Sequence, residues 1–224
     1  MDIIGIVGVA AGSISIPLAA VATATSVMGI SQGVNSSQGG GGGGGGGGEP
    51  DKDDPRVPKF NVYTECAEPS SPAKNLVHNK IVVLREKKLY LDAADPDYRV
   101  FSDGHPFSGF YIEYPWAEKP LALVSTIKPD PPELNWIYVD RDSLAVTYGN
   151  KTASIDQIHG PWDWTDDQSS VTLEGWEGFV AVEESPGVFY LAYDQDEDHL
   201  KELGVKGRVV DVNLKRVLEP KKQS

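Results

Sequence analysis

From Ile3 to Gly48 the chain carries no charged residue, and the stretch ends in ten consecutive glycines, Gly39–Gly48. A run that contains no charge and closes in polyglycine cannot build a soluble core of its own. Glycine loses the most conformational freedom on ordering, and the apolar half has no polar face to turn to water. The feature therefore divides the molecule into three parts: an apolar helical segment over 1–30, a disordered poly-Gly and acidic linker over 31–58, and a globular body over 59–224. The remaining length is enough to bury one ordinary core without disulfides or metal, since domains of roughly 150 residues bury about two-thirds of their unfolded surface.

Charge narrows what the body can do. The chain holds 33 acidic and 20 basic residues, for a net charge of −13, and only Asp2 and Glu49 of the acids precede residue 50. Such a surface repels phosphate backbones, and no Lys/Arg cluster offsets it, so nucleic acid is not an expected partner. Docking of the body itself on anionic lipid is disfavoured for the same reason. Cys66 is the one cysteine. It rules out an intramolecular disulfide, fits a reducing compartment, and sits between Glu65 and Ala67, where a neighbouring carboxylate works against a reactive thiolate.

The apolar run Ile3–Ile30 supports three readings. Twenty or so apolar residues suffice to cross a bilayer, and Gly8 and Gly12 have the GxxxG spacing that lets helices approach in lipid. Pro17 would divide a straight span into Ile3–Ile16 and Leu18–Ile30, each too short alone, so a kink or hairpin is needed. A secretory signal is the second reading, against which stand the missing basic residues near the start and the length of the apolar part. The third is a helix that packs on protein, by self-association or on a partner, and the hydroxyls of Ser13, Ser15, Thr23, Thr25 and Ser26 favour it. Lys52, Arg56 and Lys59 lie downstream and would keep the body cytosolic if the segment enters a membrane. The expectation is membrane association with a cytosolic body, and secretion is the alternative.

The body reads as mainly β. Ten short β-rich runs recur at intervals of about ten residues, separated by Gly, Pro and Asp. Lys80–Leu84 and Lys88–Leu91 flank a tight connection and predict a hairpin. Further runs are Gly109–Tyr114, Leu121–Ile127, Leu134–Val139, Leu144–Tyr148, Ser170–Leu173, Gly178–Val182, Val188–Tyr193 and Arg208–Leu214. Trp136-Ile137-Tyr138-Val139 has bulk on both faces, as in a central strand. Val210-Asp211-Val212-Asn213-Leu214 alternates, as at a half-solvated one. One short helix is predicted over Asp196–Leu203, with acids early, Lys201 late and Gly204 as a stop. The pattern predicts an antiparallel β-sandwich or open barrel.

The most distinctive chemistry of the body is aromatic. Trp162, Asp163 and Trp164 fall in Gly160-Pro161-Trp162-Asp163-Trp164-Thr165, and Trp176 falls in Gly175-Trp176-Glu177-Gly178-Phe179. Trp162 and Trp164 share a strand parity. An exposed pair of indoles edged by carboxylates would offer flat apolar rings to a sugar face and acceptors to its hydroxyls, and would equally suit a protein hot spot. The bland reading is that these rings cap the core and close a loop. Trp162, Trp164, Trp176 and Asp163 are thus the candidate binding residues, for a protein or glycan partner.

These blocks, together with Tyr148-Gly149-Asn150-Lys151-Thr152-Ala153-Ser154, resemble a family of proteins from filamentous fungi to which no activity is attached. The resemblance covers the body from Asn75 onward and implies a fungal context. The head is similar to the apolar, Gly/Ala-rich N-terminal segments of many fungal signalling and incompatibility proteins. Neither resemblance implies a catalytic residue.

Other motifs select no chemistry. An EF-hand loop starting at Asp194 would need Gly at its sixth position and Glu at its twelfth, where the chain has His199 and Val205. A looser divalent site over Asp194–Asp198 competes with a solvated acidic turn. His78, His105, His159 and His199 have no HxH or HExxH spacing, and no GxSxG frame surrounds a serine. Asp163 and Glu177 could be paired as glycosidase carboxylates, but acids are too common here for spacing alone to carry that. The sequons at Asn35 and Asn150 matter only in a secretory pathway. No catalytic residue, metal ligand or cofactor is expected, and an undetected hydrolase remains a third reading beside the interaction module and the carbohydrate-binding module.

Overall fold

The structure, a computed structural model, describes residues 16–17, 56–115, 118–129 and 132–220. Apart from Ile16–Pro17, the expected apolar helix and the linker up to residue 55 lie outside the described residues.

The body is the mainly antiparallel β fold that the alternation predicts, and of sandwich and barrel it is the barrel. In chain order the strands are β1 (Ile16–Pro17), β2 (Phe60–Cys66), β3 (Lys80–Arg85), β4 (Lys88–Ala93), β5 (His105–Pro106), β6 (Gly109–Glu113), β7 (Leu121–Pro129), β8 (Pro132–Val139), β9 (Val146–Gly149), β10 (Trp162–Trp164), β11 (Val171–Leu173), β12 (Phe179–Ser185), β13 (Val188–Tyr193) and β14 (Val209–Leu218). Antiparallel pairings run β2–β6–β7–β8–β9–β4–β13–β12–β14 and return to β2, so the sheet closes on itself. Closure removes the free edges that an open sheet would expose.

Residue parity explains the core. Along β2 the residues Phe60, Val62, Thr64 and Cys66 are buried and the intervening ones are partly exposed. Along β14 Val210, Val212 and Leu214 are buried while Asp211 faces solvent. Across β6, β7 and β8 the register Tyr111–Leu123–Ile137 lies inside the barrel. The alternate row Phe110–Val124–Trp136 lies on the outside of the wall. Outward apolar rows also occur on β12–β13 and on β3–β4. The β3–β4 hairpin turns through Glu86 and Lys87, with φ of 46° and 62°. Both central residues thus have the positive φ of a two-residue hairpin turn matched to strand twist.

Three features depart from the sequence reading. First, β2 and β10 were absent from the predicted runs: polar Asn61, Thr64 and Glu65 interrupt the first, and the second is three residues long. Second, no helix forms over Asp196–Leu203. Glu197, His199 and Leu200 take left-handed φ of 54°, 58° and 57°, and the Asp194 carboxylate accepts from the backbone N–H of Asp198 and of His199. Short acidic side chains satisfy nearby backbone groups and so compete with a helix. Leu200, 1% exposed, turns inward onto Val180, Val182 and Ala192 and fixes the segment as a series of turns. Third, the helical turns among the described residues are Lys74–Val77 and Lys151–Ser154, with a 3₁₀ turn at Pro96–Tyr98. Asn150 caps the second by accepting from Ala153 N–H, as the Asx residue before a helix does.

Candidate functional site

The three tryptophans enter three environments. Trp162 is 1% exposed and stacks on Phe179 with ring centroids 6.0 Å apart and 10° between planes. It belongs to the core, so it is not half of an exposed platform. Trp164, two residues on, is half-buried on the same core. Tyr111 meets it edge-on at 5.2 Å, and the guanidinium carbons of Arg56 and Arg216 each lie 4.8 Å from its ring centroid. Two cations on one indole occupy the ring that a sugar or peptide would need. Asp163 accepts from Trp164 N–H through its own side chain and sits 3.7 Å from Arg56, while its carbonyl accepts from the Tyr111 hydroxyl. Asp163 thus secures the β10 segment.

Trp176 is different. It is half-buried and lines a cavity of about 320 Å³, together with Glu177, Gly178, Phe179, Asp194, Glu197, His199, Asp211 and Asn213. Of the four residues predicted as a binding set, only Trp176 lines it. Its ring lies directly over Gly178: a Cβ at that position would come within 2.2 Å of the indole. Beneath, Tyr193 packs at 5.7 Å from Trp176 and 5.5 Å from Phe179 and donates its hydroxyl to the Leu173 carbonyl. Burial, aided by the nearby Glu174 carboxylate, pushes the Tyr193 phenol up to about 12.

The polar wall is built by the turns after β13. Asp194, 4% exposed, donates its backbone N–H to the Gly178 carbonyl and spends its carboxylate on Asp198 and His199 N–H groups. The left-handed residues of this segment turn the His199 ring across to β14, where Nε2 lies 3.2 and 3.1 Å from the two oxygens of Asp211. One ligand atom each from Asp194, His199 and Asp211 lie within 4.8 Å of one another. Glu177 Oε1 is buried without a hydrogen-bond partner.

The site therefore offers an aromatic face, several carboxylate acceptors, an imidazole and the Asn213 amide. Sequence reasoning singled out Trp176 and noticed Asp194–Asp198 and His199, but did not join them. The joining residue is Asp211, whose outward parity in Val210-Asp211-Val212 was visible but unremarkable on an acidic surface. The imagined pairing of Asp163 with Glu177 is not seen: Asp163 faces Arg56, and Glu177 lines the cavity. Cys66 is a buried thiol that donates to the Glu68 carbonyl, in keeping with a packing role. Among the described residues no helix is long and apolar enough to cross a membrane.

Comparison with known proteins adds one identification. No curated protein and no solved structure matches the chain. A family model described as "Fungal beta-trefoil domain" matches residues 29–220. The closed antiparallel barrel and the match over most of the chain agree, and the chain belongs to the fungal β-trefoil domain family.

Proposed function

We propose that this β-trefoil domain is a non-enzymatic binding module that takes one unit of a hydroxyl-rich ligand, a glycan, in the Trp176 cavity. The observation that carries the reading is the half-buried Trp176 indole lining the same cavity as Glu177, His199, Asp211 and Asn213. A sugar ring supplies both an apolar face for the indole and hydroxyls for Glu177, Asp211 and Asn213. The volume lies at the small end of ligand sites, about 300–1,000 Å³, which favours a single sugar unit over a peptide.

The test of the module is a glycan-array screen of the full chain, followed by calorimetry. Binding should fall at least about tenfold in Trp176→Ala and in Asp211→Asn. Binding that survives Trp176→Ala, or a folded chain that binds no glycan, removes the proposal. Release of new reducing ends from a bound glycan would replace it with hydrolysis.

A further inference from the structure

The barrel wall carries three apolar patches on its outside, and they are not covered alike. On β12–β13, Val180, Val182 and Ala192 are covered by Leu200 and Val205 of the turns between β13 and β14. On β3–β4, Ile81, Val83 and Tyr90 are covered by Phe101, whose ring lies 5.3 Å from that of Tyr90. The third patch is the row Phe110–Val124–Trp136 with Ala122, Leu134 and Tyr138. Its described members all come from β6, β7 and β8 themselves and from Tyr114 directly after β6. The helical turn Lys151–Ser154 closes one flank, where Ser154 Oγ is 2.8 Å from the Tyr114 hydroxyl. Even so, Phe110, Val124 and Leu134 are 2%, 4% and 6% exposed. Trp136, 4% exposed, has an indole N–H that is buried without an acceptor.

The edge of β8 tells the same story. Strand β9 pairs with Trp136–Val139 and stops short of Glu133 and Leu134. There the two residues of β1 pair antiparallel, Ile16 with Leu134 and Pro17 with Glu133. Proline lacks an N–H and is confined to edge strands, so Pro17 suits the outermost position. The chain also re-enters the body beside this patch. Arg56 accepts through its carbonyl from Tyr111 N–H, and Phe60 is in register with Gly109, the neighbour of Phe110.

We propose that the charge-free segment Ile3–Ile30 docks on the outer face of β6–β7–β8 of its own chain, extending from the pairing of Ile16–Pro17 with β8 and covering the Phe110–Val124–Trp136 row. The occupant is argued from where it is tethered: residues 31–58 end next to β6, so the segment meets this patch at a high effective concentration. It is argued also from composition, because a charge-free run is what an apolar wall can bury, and its backbone carbonyls offer the acceptor that the Trp136 indole lacks. The inference is independent of the ligand proposed for the Trp176 cavity.

The experiment keeps the chain whole until it has folded. A specific protease site is placed within Gly39–Gly48, the folded protein is cut, and the products are separated by size. The N-terminal peptide should stay with the body at the mass of one chain. Hydrogen exchange at the Leu134 amide should be at least about tenfold slower than in full-length Ile16→Pro, which removes the N–H opposite Leu134 and leaves the barrel sequence intact. Three results overturn the inference: loss of the peptide from the body, its transfer to neutral phosphatidylcholine vesicles, or exchange between labelled and unlabelled copies. Unchanged exchange in Ile16→Pro overturns it as well.

Discussion

Gly178 should tolerate a methyl group only if Trp176 leaves its place. A Cβ built on Gly178 meets three indole carbons at 2.2, 2.4 and 2.6 Å. Carbon atoms in contact sit at about 3.5–4.0 Å, so the ring must retreat by roughly 1 Å or more. The backbone itself is no obstacle, because Gly178 is absent from the positions with positive φ. The cost of Gly178→Ala is therefore the cost of moving a half-buried indole off Tyr193 and Phe179, about 1–3 kcal/mol for an overpacked site. In a body of this size that is a fall in Tm of about 2–12 °C. Differential scanning calorimetry on four proteins measures it: the parent chain, Gly178→Ala, Trp176→Ala and the double variant. With the ring already removed, the methyl enters empty space, and Gly178→Ala should cost less than about 0.5 kcal/mol in that background. Ligand binding through Trp176 should fall in Gly178→Ala alongside stability. Equal costs in the two backgrounds would refute the reasoning, since they would place the strain in the backbone and not in the indole.

The remaining predictions concern the other aromatic residues and the acidic turns. Trp162→Ala should cost about 3–5 kcal/mol in urea unfolding, because the ring is core and leaves a cavity. Trp164→Ala should cost only about 1–2 kcal/mol, since it loses two cation–π contacts of roughly 0.5–1 kcal/mol each and one edge-on ring. Equal losses would contradict their separate environments. Tyr193 has its phenol raised to about 12, above the ordinary value of 10.0. Its neutral form is favoured by folding, so that contribution is full below about pH 10 and is lost as pH rises toward about 12. Thermal melts of the parent chain should fall more steeply over that window than those of Tyr193→Phe, and parallel slopes would discard the assignment. Hydrogen bonds from Thr165 and Ser169 hold Asp167 down to about 2. Stability from that carboxylate is present above its ordinary value of 3.8 and lost as pH falls through about 2. A carboxyl NMR titration should show the low midpoint, and Thr165→Ala should move it upward; an unmoved midpoint would remove Thr165 as the cause.

How much was legible depended on whether a residue's neighbours in sequence were also its neighbours in space. The hairpin of Lys80–Arg85 with Lys88–Ala93 was readable because both strands and their turn lie together. Alternation in Val210–Leu214 was readable because one face is uniformly apolar. Closure of the barrel was not, since it depends on single registers such as Lys88 with Thr147 and Phe60 with Gly109 between distant segments. The helix that propensity predicts over Asp196–Leu203 does not form, because burial of Leu200 over β12–β13 dictates a different backbone path. The tryptophans were grouped by spacing, and spacing does not report burial: Trp162 and Trp164 share a parity, yet one fills the core and the other lies between two arginines.

The same segment that defeated the helix prediction links stability to the candidate site. Leu200 anchors the turns after β13 on the outer wall, and its immediate predecessor His199 reaches Asp211 on β14. Asp194 joins both tasks, since its carboxylate orders the turns and its N–H binds the Gly178 carbonyl beneath Trp176. The buried leucine, the three left-handed residues and the Asp194 hydrogen bonds together hold the cavity in one shape, set by the barrel wall beneath it. A ligand of the kind proposed would therefore meet a site already ordered, which lowers the entropy lost on binding.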